Sequence, residues 1–458
     1  MLAFLYSNEI ALQFRGPTKV SAFVGSKNCE SSQGAVFVMS KKVLEQAKRL
    51  VVPTKSEDQK VAGIVDEVIT KVSSQIAKSK LNASLFVGGS VAKGTWLPGI
   101  SDIDFFLKFN YDEFSDRSPE LADFAEKVLK GAFKVQRLHG SRDYFSAIYK
   151  GFYIEIVPVL EIKNLKQAKN ITDYSPLHVG WIASRVKKDK KLQTEIRLAK
   201  KFFKASGVYG AESYVGGLSG HAIEILTIYY GNFTNLVKSV ARWHENDVID
   251  VKRYYKPSEV FEKLNPSKLQ SPVIIIDPIE KDRNAAAALG KEKFLLAKAV
   301  STKFLAKPNL EFFREKKISV TDLEKKKKGF KLIVIESKPE RGKPDVIGAK
   351  LLKKFEALGK ILAENDFIEQ DSGWWWPESG PALYWFYFDK KPLPTVREHI
   401  GPPVKLGKYA KDFKKKWKKT KVKDGRLVAY IRRKFVKPED LLKSIVKKDK
   451  NLKILKIG

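Results

Sequence analysis

Asp102 and Asp104 stand one residue apart in "SDIDFFLKF", at the start of an apolar run. Aspartate is depleted in strands. Residues two apart in a strand share a face, so both carboxylates point one way while Ile103, Phe105 and Leu107 point the other. Two carboxylates on one face suit a hard divalent cation, Mg2+ above all, bound together with phosphate oxygens. About a dozen residues upstream, a loop with Gly88, Gly89 and Ser90 offers backbone N–H groups and a hydroxyl to a phosphate. A third carboxylate from a neighbouring strand would complete a clamp for phosphoryl or nucleotidyl transfer. Glu155 in "YIEIVP" is the candidate, because Ile154 and Ile156 flank it and turn it away from an apolar face. Without a cation such a triad repels itself.

The elements that must position these residues follow from the periodicity. Val61, Ile64, Val65, Val68, Ile69 and Val72 recur at helical spacing over 55–80. "ASLFVGGS" reads as a short buried strand ending in glycines, and "DIDFFLKF" as a second strand. Residues 117–132 read as a helix, and "DYFSAIYK" and "FYIEIVPVLEI" as strands turning at Lys150-Gly151. From about 188 the pattern becomes helical. One amphipathic helix stops at Gly207, and "SGHAIEILTIYYGNFTNLVKSVARW" reads as a buried helix and then a more exposed one. "VIIIDPIEKDRNAAAALG" reads as a buried strand, a proline turn and a helix start at Arg283-Asn284. After a helix closing near Pro308 come the strands "FKLIVIESKP", "ALYWFYFDK" and "GRLVAYIRRKF", with "DVIGAKLLKKFEALGKILAEN" as a helix. The fold class is therefore α+β and multidomain, without a fixed-period repeat.

Composition narrows the partners. Among 458 residues, 86 Lys and Arg face 52 Asp and Glu, a net charge of +34 that favours a polyanion such as nucleic acid. Hydrophobic residues at 43% suffice to build real cores, which excludes wholesale disorder. The single cysteine, Cys29, excludes a disulfide framework and a Cys-based zinc site, and fits the cytoplasm. No uncharged stretch approaches the ~20 residues of a membrane span. The apolar start meets Glu9 too early for a signal peptide. The only methionines are Met1 and Met39, and residues 1–38 differ in composition from the lysine-rich remainder. That segment is expected to be dispensable, with translation starting at Met39.

"GGS…TWLPG…SDIDFFL" resembles the signature of the nucleotidyltransferase superfamily that includes DNA polymerase beta. More narrowly, the chain is similar to the archaeal (class I) CCA-adding enzymes through "SPLHVGWI", "EIRLAKKFFKASGVYGAE", "GGLSGHAIEIL" and "DPIEKDRNAAA", over roughly residues 45–305. The resemblance implies a polymerase-beta-like nucleotidyltransferase head over 39–187 and a mostly helical, nucleotide-binding neck over 188–307. Residues 308–458 would form a basic, mixed α/β body and tail that bind tRNA. It implies addition of C, C and A to the tRNA 3′ end from CTP and ATP, with Mg2+ held by Asp102, Asp104 and Glu155. Gly89, Ser90 and Lys93 would meet the nucleotide's phosphates. His178, Lys200 and Tyr209 fall on nucleotide-contacting positions, and Arg283 on one that helps read the base. Four positions depart from the family pattern: Glu155 replaces an aspartate, Lys93 an arginine, and Tyr174-Ser175 an Arg-Thr pair.

Alternatives stay open at this level. The loop and carboxylates also suit a poly(A) polymerase or an oligoadenylate synthetase, and the charge also suits a non-catalytic RNA-binding protein on this scaffold. His178 and Arg283-Asn284 suit helix starts, Tyr209 a helix cap, and Lys200 a solvated helix face. "WWWP" at 374–377 reads as core plus a surface patch. The lysine run 411–423, interleaved with Tyr409, Phe413 and Trp417, reads as a seat for RNA phosphates. Homodimerisation is left undecided by the sequence.

Overall fold

The computed structural model describes residues 41–458, apart from Lys328, Ser379 and the side chain of Pro257. The expectation for residues 1–38 lies outside the described residues. Two compact units divide the described chain, residues 41–316 and residues 317–458.

In the first unit, α1 (Lys55–Lys78) opens on a capping box in which Thr54 and Glu57 satisfy each other's backbone N–H groups. It buries Val61, Ile64, Val65, Val68, Val72 and Ile76, the stripe expected from the sequence with Ile69 only half-buried. Five strands follow: β1 (Ala83–Val87), β2 (Asp102–Phe109), β3 (Gln136–Leu138), β4 (Tyr144–Tyr149) and β5 (Phe152–Leu160). They form one sheet in the order β1-β2-β5-β4-β3. Only β2 and β5 run parallel, so the intervening chain makes a crossover that includes α3 (Leu121–Lys130). The expected helix over 117–132 is thus shorter, with a single 3-10 turn at Ser118–Glu120 before it. Between β1 and β2, residues Gly89–Lys93 form one helical turn, α2, where the sequence suggests an open loop.

The end of β5 is tied to the next helix by a buried ion pair. Arg142 donates to Asp173, Ser118, Thr172 and the carbonyl of Pro158. The Asp173 carboxylate also accepts the backbone N–H groups of Leu160, Lys169 and Asn170. These bonds set the path from the sheet into α4 (Ser175–Lys188), the helix carrying His178.

A helical layer continues the unit: α5 (Lys191–Ala205), α6 (Gly220–Tyr230), α7 (Phe233–Arg242) and α8 (Lys291–Ala306). Phe202, Phe203, Phe233, Phe304 and Phe313 meet in its core, mostly edge to face. Each such ring contributes about 1.5–3 kcal/mol on burial. A parallel pair, β6 (Asp247–Asp250) and β7 (Val273–Ile276), adds the fully buried run Val273-Ile274-Ile275-Ile276. The segment after β7 is a turn, not the expected helix start. Asn284 accepts from Ile275 N and donates to Lys268 O, holding the turn against the strand until α8 begins at Lys291.

The second unit holds a four-stranded antiparallel sheet, order β14-β8-β10-β9, from β8 (Lys331–Ser337), β9 (Asp371–Trp375), β10 (Ala382–Phe388) and β14 (Leu452–Ile457). Helix α9 (Pro344–Glu364) packs on it through Phe355 against Tyr384 and Phe386. Trp376 is buried and donates to Gly380 O, whereas Trp374 and Trp375 are half-buried on β9, core plus partial surface as expected. A separate three-stranded sheet, β11 (Val396–Pro403), β13 (Arg426–Arg432) and β12 (Thr420–Lys423), carries α10 (Gly407–Lys416). There Phe413 of this lysine-rich helix clusters with His399 of β11 and Trp417, and Tyr409 is exposed. No helix among the described residues is long and apolar enough to cross a membrane.

Removing Asp173 leaves the Arg142 guanidinium buried without its counter-charge, which costs about 3–5 kcal/mol. Asp173→Ala is therefore expected to lower the denaturant midpoint of the first unit clearly, read by tryptophan fluorescence in urea. An unchanged midpoint would show that the pair does not hold this junction.

Candidate active site

The site starts where β1 ends. The amide of Gly88 donates to the carbonyl of Asp104 at 2.7 Å, pinning the α2 turn to the acidic strand. Gly89 then takes φ +53°, and a Cβ built on it would fall 1.7 Å from Asp104 Oδ2. Both the backbone conformation and the close approach require glycine. Ser90 lies in the same turn, its carbonyl accepting from Gly94 and Thr95.

The parallel register of β2 and β5 places Asp104 opposite Glu155, and Asp102 opposite Tyr153. On the other face, Ile103, Phe105, Leu107 and Ile154 are fully buried. Asp102 is exposed and accepts from Ser101 Oγ at 2.9 Å, while Asp104 and Glu155 are half-buried. Burial raises the Asp104 carboxyl above the ordinary aspartate range, opposed by Lys93 and Lys200 and reinforced by Asp102. A half-buried acid beside like charges and against a glycine-only cradle is a hard-oxygen donor set that gains from a divalent metal.

Lys93 and Lys200 meet at an acid the sequence reading did not single out. Glu224 of α6 is fully buried; its Oε2 accepts from Lys93 Nζ at 2.7 Å and its Oε1 from Lys200 Nζ and Thr95 Oγ1, each at 2.7 Å. Burial alone would raise the Glu224 carboxyl, but Lys200 and Lys93 hold it well below the usual range. Lys200 is 4% exposed, so it is not on a solvated helix face, and it also donates to Thr95. Tyr209 sits where the chain returns toward α6. A Cβ on Gly220 would lie 2.8 Å from its hydroxyl and 3.8 Å from Lys200 Cε, and burial pushes the phenol up to about 12.

His178 and Arg283 converge on a second unforeseen acid, Asp277. His178 Nε2 lies 2.9 Å from Asp277 Oδ1, His221 Nε2 lies 3.0 Å from Oδ2, and Arg283 Nη1 stands 3.7 Å from Oδ2. The backbone amides of Ile279 and Glu280 also donate to Asp277, so the proline turn after β7 is built around this carboxylate. Burial lowers the His178 imidazole, favouring its neutral form, against the pull of Asp277. His178, His221 and Asp277 offer donor atoms within 4.8 Å of one another, a nitrogen-and-oxygen set of the kind that takes a softer divalent ion. His221 links the two acids, with Nδ1 at 4.0 Å from Glu224 Oε2.

All ten candidate residues therefore fall in the first unit. Asp102, Asp104, Glu155, Gly89 and Ser90 gather on one face of the interior strands β2 and β5 and the turn after β1, Lys93 and Lys200 around Glu224, with Tyr209 beside Lys200, and His178 and Arg283 around Asp277. The missed acids carry visible signals. Glu224 is a lone charge in the apolar run "AIEILTI", and Asp277 ends the run "VIIID". A charge so placed is buried only with partners.

Gly89→Ala is expected to displace the Asp104 carboxylate. The nucleotide incorporation that the sequence resemblance implies should fall by at least ~100-fold, the scale of about 1 Å of misplacement, while the circular dichroism spectrum stays unchanged. Activity within twofold of the parent would refute the cradle.

The comparisons with known proteins agree along the chain. Residues 66–178 match the family model of the nucleotidyltransferase domain, 194–314 that of the tRNA nucleotidyltransferase second domain, and 328–452 that of the CCA-adding enzyme C-terminal domain. The chain is 34% identical to the CCA-adding enzyme of Nanoarchaeum equitans over 84% of this chain and 91% of that one. It is 31% identical to that of Methanosarcina mazei over 87% of each, and 29% identical to that of Methanocaldococcus jannaschii over 90% and 92%. A solved cytoplasmic RNA terminal U-transferase is similar at 15% identity and a TM-score of 0.47, over 61% of this chain and 99% of that one. An acidic strand pair facing a glycine turn, three family models in order and 34% identity over most of the length place this chain in the family of CCA-adding enzymes, the tRNA nucleotidyltransferases with a polymerase-beta-like head.

Proposed function

We propose that the chain completes tRNA 3′ ends by template-independent addition of C, C and A from CTP and ATP, releasing pyrophosphate, with Asp102, Asp104 and Glu155 as its catalytic carboxylates. The observation that carries this reading is the parallel register setting Glu155 beside Asp104, across from a turn that tolerates only glycine at position 89. The three carboxylates are the ligands for Mg2+, which when bound supplies Lewis acidity toward the attacking 3′-hydroxyl and the α-phosphate. Glu155 is one methylene longer than the family's aspartate and reaches the same point from its neighbouring strand.

Gly89 and Ser90 present the α2 turn to the triphosphate. Lys93 and Lys200 supply positive charge toward the departing pyrophosphate. Tyr209 borders this pocket. His178 and Arg283, oriented by Asp277, face the base and hydrogen-bond its edge. Residues 39–187 act as the catalytic head, 188–307 as the nucleotide-binding neck, and 308–458 as the body and tail that grip the acceptor arm by shape and phosphate contacts. The lysine-covered helix α10, with Tyr409 exposed, offers such a surface in the second unit. The reaction takes place in the cytoplasm.

Asp104→Asn should lower incorporation by at least ~1000-fold, the scale expected when charge stabilisation at the reacting phosphate is lost. Products of a tRNA ending at the discriminator base, incubated with CTP and ATP and sequenced, should stop at C-C-A. A homopolymer would replace this reading with that of a poly(A) polymerase. Lys414, Lys415, Lys418 and Lys419 replaced together by alanine should reduce the salt dependence of tRNA binding, lowering the log–log slope by up to about three. An unchanged slope would move the tRNA contact elsewhere.

A further inference from the structure

Glu224 is a buried acid to which none of the roles above assigns a task. It lies in α6, in the stretch between the segment of His178 and Lys200 and that of Arg283, and its carboxylate spans two lysines far apart in sequence. Lys93 ends the α2 turn that abuts Asp104, and Lys200 lies on α5. Thr95 closes the ring: its hydroxyl donates to Glu224 Oε1 at 2.7 Å, and it accepts Lys200 Nζ at 3.0 Å.

Two ammonium groups this close in a low-dielectric pocket repel one another and, unpaired, resist burial. Lys200, at 4% exposed, has burial, Lys93 and Arg197 all working against its charge, and Glu224 is the group that sustains it. The geometry is unequal. The Lys200 side chain is nearly sealed, whereas Lys93 keeps 12% of its side chain exposed. One carboxylate thus fixes one lysine firmly and the other at the rim.

We infer that Glu224 is a positioning residue for nucleotidyl transfer: it holds Lys93 and Lys200 side by side and aims both ammonium groups at the triphosphate. The inference rests on the reading of these lysines as triphosphate contacts. It has an opposite and equally physical competitor, in which the Glu224 charge merely weakens the attraction of the pocket for an anion. The two differ in sign. Positioning requires that loss of the carboxylate weaken triphosphate binding, whereas simple opposition requires that it strengthen it.

The experiment is steady-state kinetics of the full chain on tRNA lacking its terminal CCA. Glu224→Gln keeps the shape and removes the charge; Glu224→Asp keeps the charge and shortens the reach. Positioning predicts that Glu224→Gln raises KM for CTP and for ATP by about tenfold or more, the scale of a lost charge-assisted hydrogen bond. The inhibition constant of inorganic pyrophosphate should rise in parallel, while that of cytidine, which lacks phosphates, stays unchanged. Glu224→Asp should recover part of the loss, and it carries the test alone should Glu224→Gln unfold. An unchanged or lower KM, or an equal loss for cytidine, overturns the inference. Lys93→Met and Lys200→Met run alongside. If they raise KM and the Glu224 variants do not, only the role of Glu224 fails. If none of the four raises KM, the phosphate-contact reading of the lysines fails first.

Discussion

The parallel pairing of β2 with β5 is the constraint on which the rest of the site depends. A slip of one residue would turn Glu155 to the far face and send Ile154 and Ile156 out of the core. The register is therefore guarded by apolar burial, not by the carboxylates themselves. Ile103, Phe105, Leu107 and Ile154 are fully buried, and Ile156 nearly so. Their burial holds three acids together that would otherwise separate. The Arg142–Asp173 pair extends the same logic to the end of β5, because it fixes where the chain leaves the sheet and enters the helix of His178.

Beside that strand pair, charge is arranged in alternation. In sequence of contact come Lys93, Glu224, His221 and Asp277, with Lys200 at the first acid and His178 and Arg283 at the second. Each buried acid is shared by at least two basic groups, so neither acid is left uncompensated and no base is held by an acid of its own. This economy has a chemical consequence. The two acid-centred clusters are coupled through His221, the imidazole that reaches both acids.

Much of the fold was legible in the sequence because its signals are local. The helical stripe of α1, the alternation in β2 and β5, the turn at Lys150-Gly151 and the apolar run of β7 all correspond to observed elements. Where local reading missed, a tertiary bond had overruled it. Arg283-Asn284 looked like a helix start, but Asn284 spends its side chain tying the turn to β7 and Lys268. The glycine stretch after β1 looked like an open loop, yet the Gly88–Asp104 bond and the positive φ of Gly89 wind it into a helical turn. Of the small sheet only β13 was visible, because β12 is four residues long and mostly exposed, and β11 carries Arg397, Glu398 and His399 and ends in Gly401-Pro402-Pro403.

By itself, the sequence determined the chemistry available: two aspartates on one strand face, a third acid flanked by isoleucines, a glycine turn, an excess of positive charge and the family these belong to. Residue type and near-neighbour spacing are enough for that, because strand and helix periods are local properties of the chain. What only the tertiary structure decided is which charges share a partner. Glu224 lies 131 residues from Lys93, and Asp277 lies 99 from His178. Over such separations no periodicity operates. The pairing follows from burial, which charges a penalty for every unpartnered ion and so brings acid to base wherever the core closes around both.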